Sequence, residues 1–223
     1  MENMLASIKI QVSPKIYLKD PETSTLGQNI IRESIHLIDE IGFEHFTFKK
    51  LGERIQSNES SIYRYFENKH KLLVYLSSWY WGWMDYRITL ATTNISDVRE
   101  RLSKAVTVVT ENIKDDSATT HVDESVLSRI IVMEFTKTFL TKEVDIENRD
   151  GFFLVYKQVI NRLIALISEA DPDYKFSKSL ASSIVEGSLH QHFLKDHLKT
   201  ITDCSGQVSP TDFYLDLISK TLR

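Results

Sequence analysis

From residue 25 onward the apolar positions of this chain recur at intervals of three and four, which places them along one face of successive α-helices. Residues 1–22 differ: a short apolar alternation at Ile8, Ile10 and Val12 runs into Pro14 and Pro21, which predicts an arm or a small edge strand, bounded here as 1–24. Thr25 with Gln28 has capping-box spacing and starts a helix on Ile30, Ile31, Ser34, Ile35, Leu37, Ile38 and Ile41, closed by Gly42 as a left-handed cap. Thr47 caps a short second helix, with Phe46 and Leu51 as a hydrophobic staple, ending near Ile55. Asn58 caps a third, in which Glu59 suits the positive end of the dipole and Ile62 and Phe66 form the apolar face. Asn68 restarts the chain as a fourth helix to about Leu90, with Leu72, Leu76, Trp79, Trp83 and Leu90 on one side. A loop over 91–96 leads to a fifth helix on Val98, Leu102, Ala105, Val106, Val109 and Ile113, then a polar loop over 115–120. Helices over 123–140, 150–168 and 177–198 follow, the middle one stopped by Asp171 and Pro172, and Ser209 with Pro210 starts a ninth. Only 7 glycines and 4 prolines, all near breaks or small-residue contacts, fit an all-α chain.

Residues 47–66 are laid out as two short helices joined by a tight turn, the geometry that sets a helix into the DNA major groove. Leu51 and Ile55 face Ile62 and Phe66, which leaves Glu59, Ser60, Ser61, Tyr63 and Arg64 outward, a short, polar and basic surface able to approach a phosphate backbone. Charge supports this division. The whole chain is acidic, with a net charge of −4, but residues 47–71 hold six basic side chains (Lys49, Lys50, Arg54, Arg64, Lys69, Lys71) against three acidic ones. Residues 76–223 carry 17 basic and 21 acidic side chains, the balance of a solvated body that does not bind DNA.

The run from Thr47 to Lys69, with Ile62-Tyr63-Arg64-Tyr65-Phe66 followed by Asn68-Lys69 and Leu72-Leu73, resembles the DNA-binding segment of the TetR family of transcriptional regulators. The resemblance spans residues 25–75. It implies that Glu59 and Ser60 lie nearest base edges, that Thr47, Ser61, Tyr63, Tyr65 and Lys69 hold phosphates, and that Lys49 reaches either. It also implies a homodimer, usually a repressor, that a small molecule releases from double-stranded operator DNA. Three positions depart from the family pattern: Gln56 stands where the turn usually has glycine, Ser57 replaces a small apolar residue, and Gly52 stands where alanine is preferred. The domains expected are an arm at 1–24, a reader at 25–68 and a regulatory and dimerisation body at 69–223.

Other chemistry is thin. Glu33/His36 and Glu67/His70 have the Glu-x-x-His spacing of di-iron bundles, yet the second pair straddles a helix break among lysines and Arg64, whose charge repels a metal cation. Glu186, His190, His192 and His197 cluster in sequence, but on a helix His192 points away from the Glu186–His190 pair. No phosphate loop, serine nucleophile motif or paired catalytic carboxylates occur, so neither a metal, a cofactor nor an enzymatic activity is expected. Cys204 is the single cysteine. The longest uncharged apolar run, Leu72 to Met84, is 13 residues, short of the roughly 20 that span a bilayer. With no cationic head and apolar run at the N-terminus, a cytoplasmic location is expected.

Within the body, the aromatic residues Trp79, Trp83, Phe135, Phe152 and Tyr156, with the carboxylate of Glu134, form the mixture that ligand pockets use, and are the candidate effector site. The alternative is that Glu134 pairs with Arg129 or Arg162 and Tyr156 is a core tyrosine, leaving a DNA-binding protein without a sensor. The helix over 177–198 carries one apolar stripe at Leu180, Ile184 and Leu194 and another at Ala181, Val185, Leu189 and Phe193. Two stripes need two covers, which predicts a dimer built on the eighth and ninth helices.

Overall fold

The computed structural model describes residues 10–113, 121–139 and 141–223. The expected loop at 115–120, Ile8 and the helix end at Leu140 fall outside them. Among the described residues the chain is helical and has no strand, and it forms two compact units, residues 1–82 with 113–154, and residues 83–112 with 155–223.

In the first unit residues 10–20 form an irregular arm, with no edge strand; Ile10, Val12 and Ile16 are buried and the Leu18 N–H donates to the Tyr65 carbonyl at 2.8 Å. After a single 3-10 turn at Pro21–Thr23, α1 runs Thr25–His45. Its cap is Ser24, one residue earlier than expected, whose hydroxyl accepts the Gly27 N–H at 3.1 Å. Gly42 does take a left-handed φ of 75°, and the chain adds a further turn beyond it. Two short helices follow, α2 (Phe48–Arg54) and α3 (Glu59–Tyr63), then α4 (Lys69–Thr92). Against α1 packs α6 (Glu124–Phe139), fixed by a bidentate Arg129–Asp39 pair at 3.1 and 2.7 Å. A six-residue α7 (Val144–Arg149) was not foreseen. Gly151, at a φ of 86°, separates it from the next helix, and Phe152 and Phe153 behind it are buried.

α4 is not the one-faced helix its spacing suggested. Every residue from Leu72 to Trp81 is buried, so its first half is covered on all sides, whereas Leu90 near its end is 56 % exposed.

The second unit contains the end of α4, α5 (Val98–Thr110), most of α8 (Leu154–Ala170), α9 (Ser177–His197) and α10 (Pro210–Thr221). α5, α9 and α10 pack on one another. Asp97 caps α5, and Ser209 and Asp212 form a reciprocal capping box on α10, with Pro210 in the first turn. On α9 Leu180, Ile184 and Leu194 are buried, and so are Ala181, Val185 and Leu189, while Phe193 at the end of the second stripe is half-buried. Most of both stripes is thus covered within the chain, and Phe193 is the part of them that a partner subunit could still cover. Exposed apolar side chains lie on both sides of α9, Phe176 just before it and Leu198, Ile201, Val208 and Phe213 after it.

Candidate nucleic-acid interface

The reader is assembled from the short helices upward. Thr47 Oγ1 accepts the Lys50 N–H at 3.2 Å and begins α2; Asn58 Oδ1 accepts the Ser60 N–H at 3.0 Å and begins α3. Leu51, Ile62 and Phe66 are fully buried, and the Phe48 ring meets the Tyr63 ring edge-on at 4.9 Å, so the two helices share one small apolar seam.

The turn between them is unusual. Gln56 has a φ of 54°, the left-handed conformation that its place in a glycine position foreshadowed. The Ser57 N–H then reaches back to the Gly52 carbonyl at 2.9 Å. A Cβ on residue 52 would stand 2.8 Å from the Ser57 carbonyl oxygen. The two departures from the family pattern are thus one feature: the turn folds onto α2 so closely that residue 52 has no room for a side chain.

On the outer surface, Thr47, Lys49, Ser60, Tyr63 and Arg64 are exposed, and Glu59 and Ser61 are half-buried. Among the described residues nothing forms an ion pair with Lys49 or Arg64. The other cations of this stretch are engaged. Arg54 is clamped by Glu33 at 2.8 Å and by Glu40 at 2.6 and 2.7 Å, and these carboxylates hold its guanidinium well above its ordinary range. Lys71 pairs with the buried Glu147 at 3.2 Å, and Lys50 Nζ donates to the His45 carbonyl at 2.9 Å.

Two residues expected at phosphates bond within the protein, Tyr65 buried and Lys69 half-buried. Tyr65 is buried, its hydroxyl 2.8 Å from Ser24 Oγ and accepting from Lys19 Nζ at 3.3 Å, because its ring closes the joint between arm and reader. Lys69 lies 3.0, 3.1 and 3.3 Å from the carbonyls of Phe43, Glu44 and Phe46, and its ammonium stands 4.8 Å from the Phe43 ring centroid. These carbonyls lie at the C-terminal end of α1, where the helix dipole is negative and a cation belongs; the Phe43 carbonyl also accepts the Phe46 N–H at 3.3 Å.

The six effector candidates are spread over both units. Trp79, Glu134, Phe135 and Phe152 belong to the first; Trp83 and Tyr156 belong to the second. Glu134 is tied down by neither Arg129 nor Arg162: it accepts the Phe43 N–H at 3.3 Å and pairs with Lys137 at 2.7 Å, while Arg162 holds Asp85 at 2.8 and 3.0 Å. Tyr156 donates to Glu186 at 2.6 Å, and burial and that carboxylate push its hydroxyl far above its usual range. Phe135 joins a chain of rings, Trp81–Phe135–Phe139–Phe153, at centroid spacings of 6.1, 4.7 and 4.8 Å. The i, i+4 spacing of Phe135 and Phe139 was the signal for that cluster. Of the sequence-adjacent histidines, His192 is largely withdrawn from solvent and its Nε2 is bonded to the Thr110 carbonyl at 2.9 Å, and His70 contacts Glu147 at 3.0 Å. Among the described residues no three or more His, Cys, Asp or Glu side chains are grouped to hold a metal, and no helix is long and apolar enough to cross a membrane.

Residues 30–76, which contain most of α1, both short helices and the first turns of α4, match the family model of bacterial regulatory proteins of the tetR family. Residues 30–76 are a tetR-family DNA-binding domain. The fold of the chain agrees. A tetR-family regulatory protein from Rhodococcus RHA1 superposes with a TM-score of 0.63 at 15 % identity, over 90 % of this chain and 98 % of that one. FadR, a fatty acid degradation regulator from Bacillus halodurans, gives 0.59 at 16 % identity, over 87 % and 98 %. AibR in complex with isovaleryl coenzyme A and operator DNA gives 0.54 at 15 % identity, again over 87 % and 98 %. No curated protein matches this chain by sequence.

Proposed function

We propose that this regulator is a homodimeric, non-enzymatic repressor of the cytoplasm that reads operator DNA with α3 and leaves it when a small molecule binds the body. One observation carries the reading: α3 buries Ile62 and turns outward a polar face ending in Arg64, which has no ionic partner among the described residues. In this reading Glu59 and Ser60 face base edges, and Thr47, Ser61, Tyr63 and Arg64 hold phosphates with Lys49 beside them. Tyr65 and Lys69 act indirectly, by fixing the reader. The functional division is an arm at 1–24, a reader at 25–68 and a body at 69–223, with Trp79, Glu134, Phe135 and Phe152 as effector candidates in the first unit and Trp83 and Tyr156, taken separately, in the second. α9 and α10 supply the dimer contact, supported by the half-buried Phe193 on α9 and the exposed Phe213 on α10. The AibR neighbour, seen with both a small acyl thioester and operator DNA, supports the pairing of a DNA site with an effector site.

The test is a salt titration of DNA binding. Arg64→Ala should weaken binding to specific and random duplex alike and reduce the slope of log K against log salt by about 0.9, the loss of one phosphate contact. Folded Lys49→Ala/Arg64→Ala protein with unchanged affinity would overturn the assignment.

A further inference from the structure

Glu134 is a buried carboxylate on α6 whose hydrogen-bond partner is main chain far away in sequence. Its Oε1 accepts the N–H of Phe43, 91 residues earlier, at 3.3 Å. Its other oxygen pairs with Lys137 at 2.7 Å, and the same ammonium reaches Glu44 at 2.8 Å. Phe43 is the first residue beyond Gly42, where α1 leaves helical geometry at a φ of 75°. From another side Lys69, at the start of α4, donates to the carbonyls of Phe43, Glu44 and Phe46, and Lys50 of α2 donates to that of His45. Every residue from 43 to 46 is thus gripped by a charged side chain, and Glu134 is the one that takes a main-chain N–H.

This segment is the joint from which the reader hangs. Phe46 runs directly into Thr47, the cap of α2. The Phe43 ring stacks on Phe46 at 6.4 Å, Phe46 meets Phe48 edge-on at 6.2 Å, and Phe48 meets Tyr63 of α3 at 4.9 Å. A shift of Phe43 therefore passes through packed rings to the helix that carries Glu59, Ser60 and Tyr63, because close-packed side chains move together. A buried carboxylate costs more than an apolar side chain of the same size. What it contributes here is direction: its hydrogen bond fixes the line of the Phe43 N–H, which apolar packing would leave free.

We propose that Glu134 is a positioning residue for DNA recognition: from α6 it sets the orientation of the last turn of α1 and, through that turn, of α3. The role goes beyond its place among the effector candidates, rests on the reading that α3 binds operator DNA, and is exerted without touching DNA.

Two variants separate the hydrogen bond from the charge. Glu134→Leu fills the same space and removes the acceptor; Glu134→Gln keeps an oxygen for the Phe43 N–H and removes the charge, leaving Lys137 to Glu44. Amide exchange read by mass spectrometry on the full chain without DNA reports on the joint. Peptides over residues 43–51 should exchange about tenfold faster in Glu134→Leu than in the wild type, and at the wild-type rate in Glu134→Gln. On duplex recovered by selection with the wild type, Glu134→Leu should bind about tenfold more weakly with the same salt slope, since about one reader in ten is then aligned and no phosphate contact is lost. Charge alone has the opposite sign: removing a carboxylate favours DNA, so Glu134→Gln should bind at least as tightly as the wild type. Equal exchange in all three proteins, faster exchange with unchanged DNA affinity, or the same loss of affinity in Glu134→Gln as in Glu134→Leu would overturn the proposal. A wild type that enriches no duplex would instead overturn the DNA reading, and the exchange comparison would still decide whether Glu134 holds the joint.

Discussion

Replacing Lys69 by methionine separates two roles that the family resemblance and the structure assign differently. The substitution keeps the length and the apolar stem of the side chain and removes only the ammonium. In the structure that ammonium reaches three carbonyls at 3.0–3.3 Å around the C-terminal end of α1. Hydrogen bonds from a charged group contribute about 1.5–3 kcal/mol in total for a site of this kind, since the position is only partly buried and the ammonium gives up hydration to enter it. The Phe43 ring adds about 0.5 kcal/mol. Lys69→Met should therefore cost about 2–3 kcal/mol in urea unfolding, equivalent to about 4–12 °C in midpoint for a chain of this size. DNA binding, measured well below that midpoint across a salt series, should keep the wild-type slope. If Lys69 were a phosphate contact the pattern would invert, with the slope falling by about 0.9 and stability almost unchanged. That second result would refute the structural role.

Gln56→Gly should stabilise the protein by about 0.5–1 kcal/mol, because it removes the left-handed penalty at a φ of 54° at some cost in unfolded-state entropy, and urea unfolding reads it directly. Gly52→Ala should destabilise by about 1–3 kcal/mol in the same assay, since the added Cβ meets the Ser57 carbonyl at 2.8 Å. Burial lowers the pKa of His192, so folding disfavours its charged form; stability should be full above about pH 6.5, where the unfolded side chain is neutral, and decline as pH falls below it. His192→Gln should flatten that part of the unfolding profile between pH 7.5 and 5. Phe213→Asp, at an exposed α10 position, should leave circular dichroism unchanged and convert a dimer to a monomer by light scattering, and a wild-type chain that is already monomeric at micromolar concentration would remove the proposed interface.

Much of the architecture was legible because caps and helical periodicity are local. Asn58, Thr47, Asp171 and the Ser209–Pro210 start all act where the sequence places them. The turn was legible as a conflict, Gln56 in a glycine position, while its resolution through Gly52 needed the distance to Ser57. What stayed hidden depends on partners far along the chain. Lys69 and Tyr65 looked like surface groups because nothing in the sequence shows that α1 breaks so as to present its carbonyls to Lys69, or that Ser24 reaches Tyr65. The short α7 was missed because six residues are too few to show a period, and the Gly151 break was absorbed into a longer helix. α4 misled for a different reason: a helix buried on every side has no apolar face for periodicity to find.

The central claim, that α3 reads operator DNA in a two-fold dimer, is tested most directly by selecting bound fragments from a random duplex library with the wild type and with Glu59→Ala and Ser60→Ala. The wild type should recover an inverted repeat whose half-sites are spaced so that the two readers stand about 34 Å apart, or a multiple of it, and each variant should change the preferred bases within the half-sites while leaving their spacing intact. Recovery of no enriched sequence, or of the same half-site by all three proteins, would contradict the account.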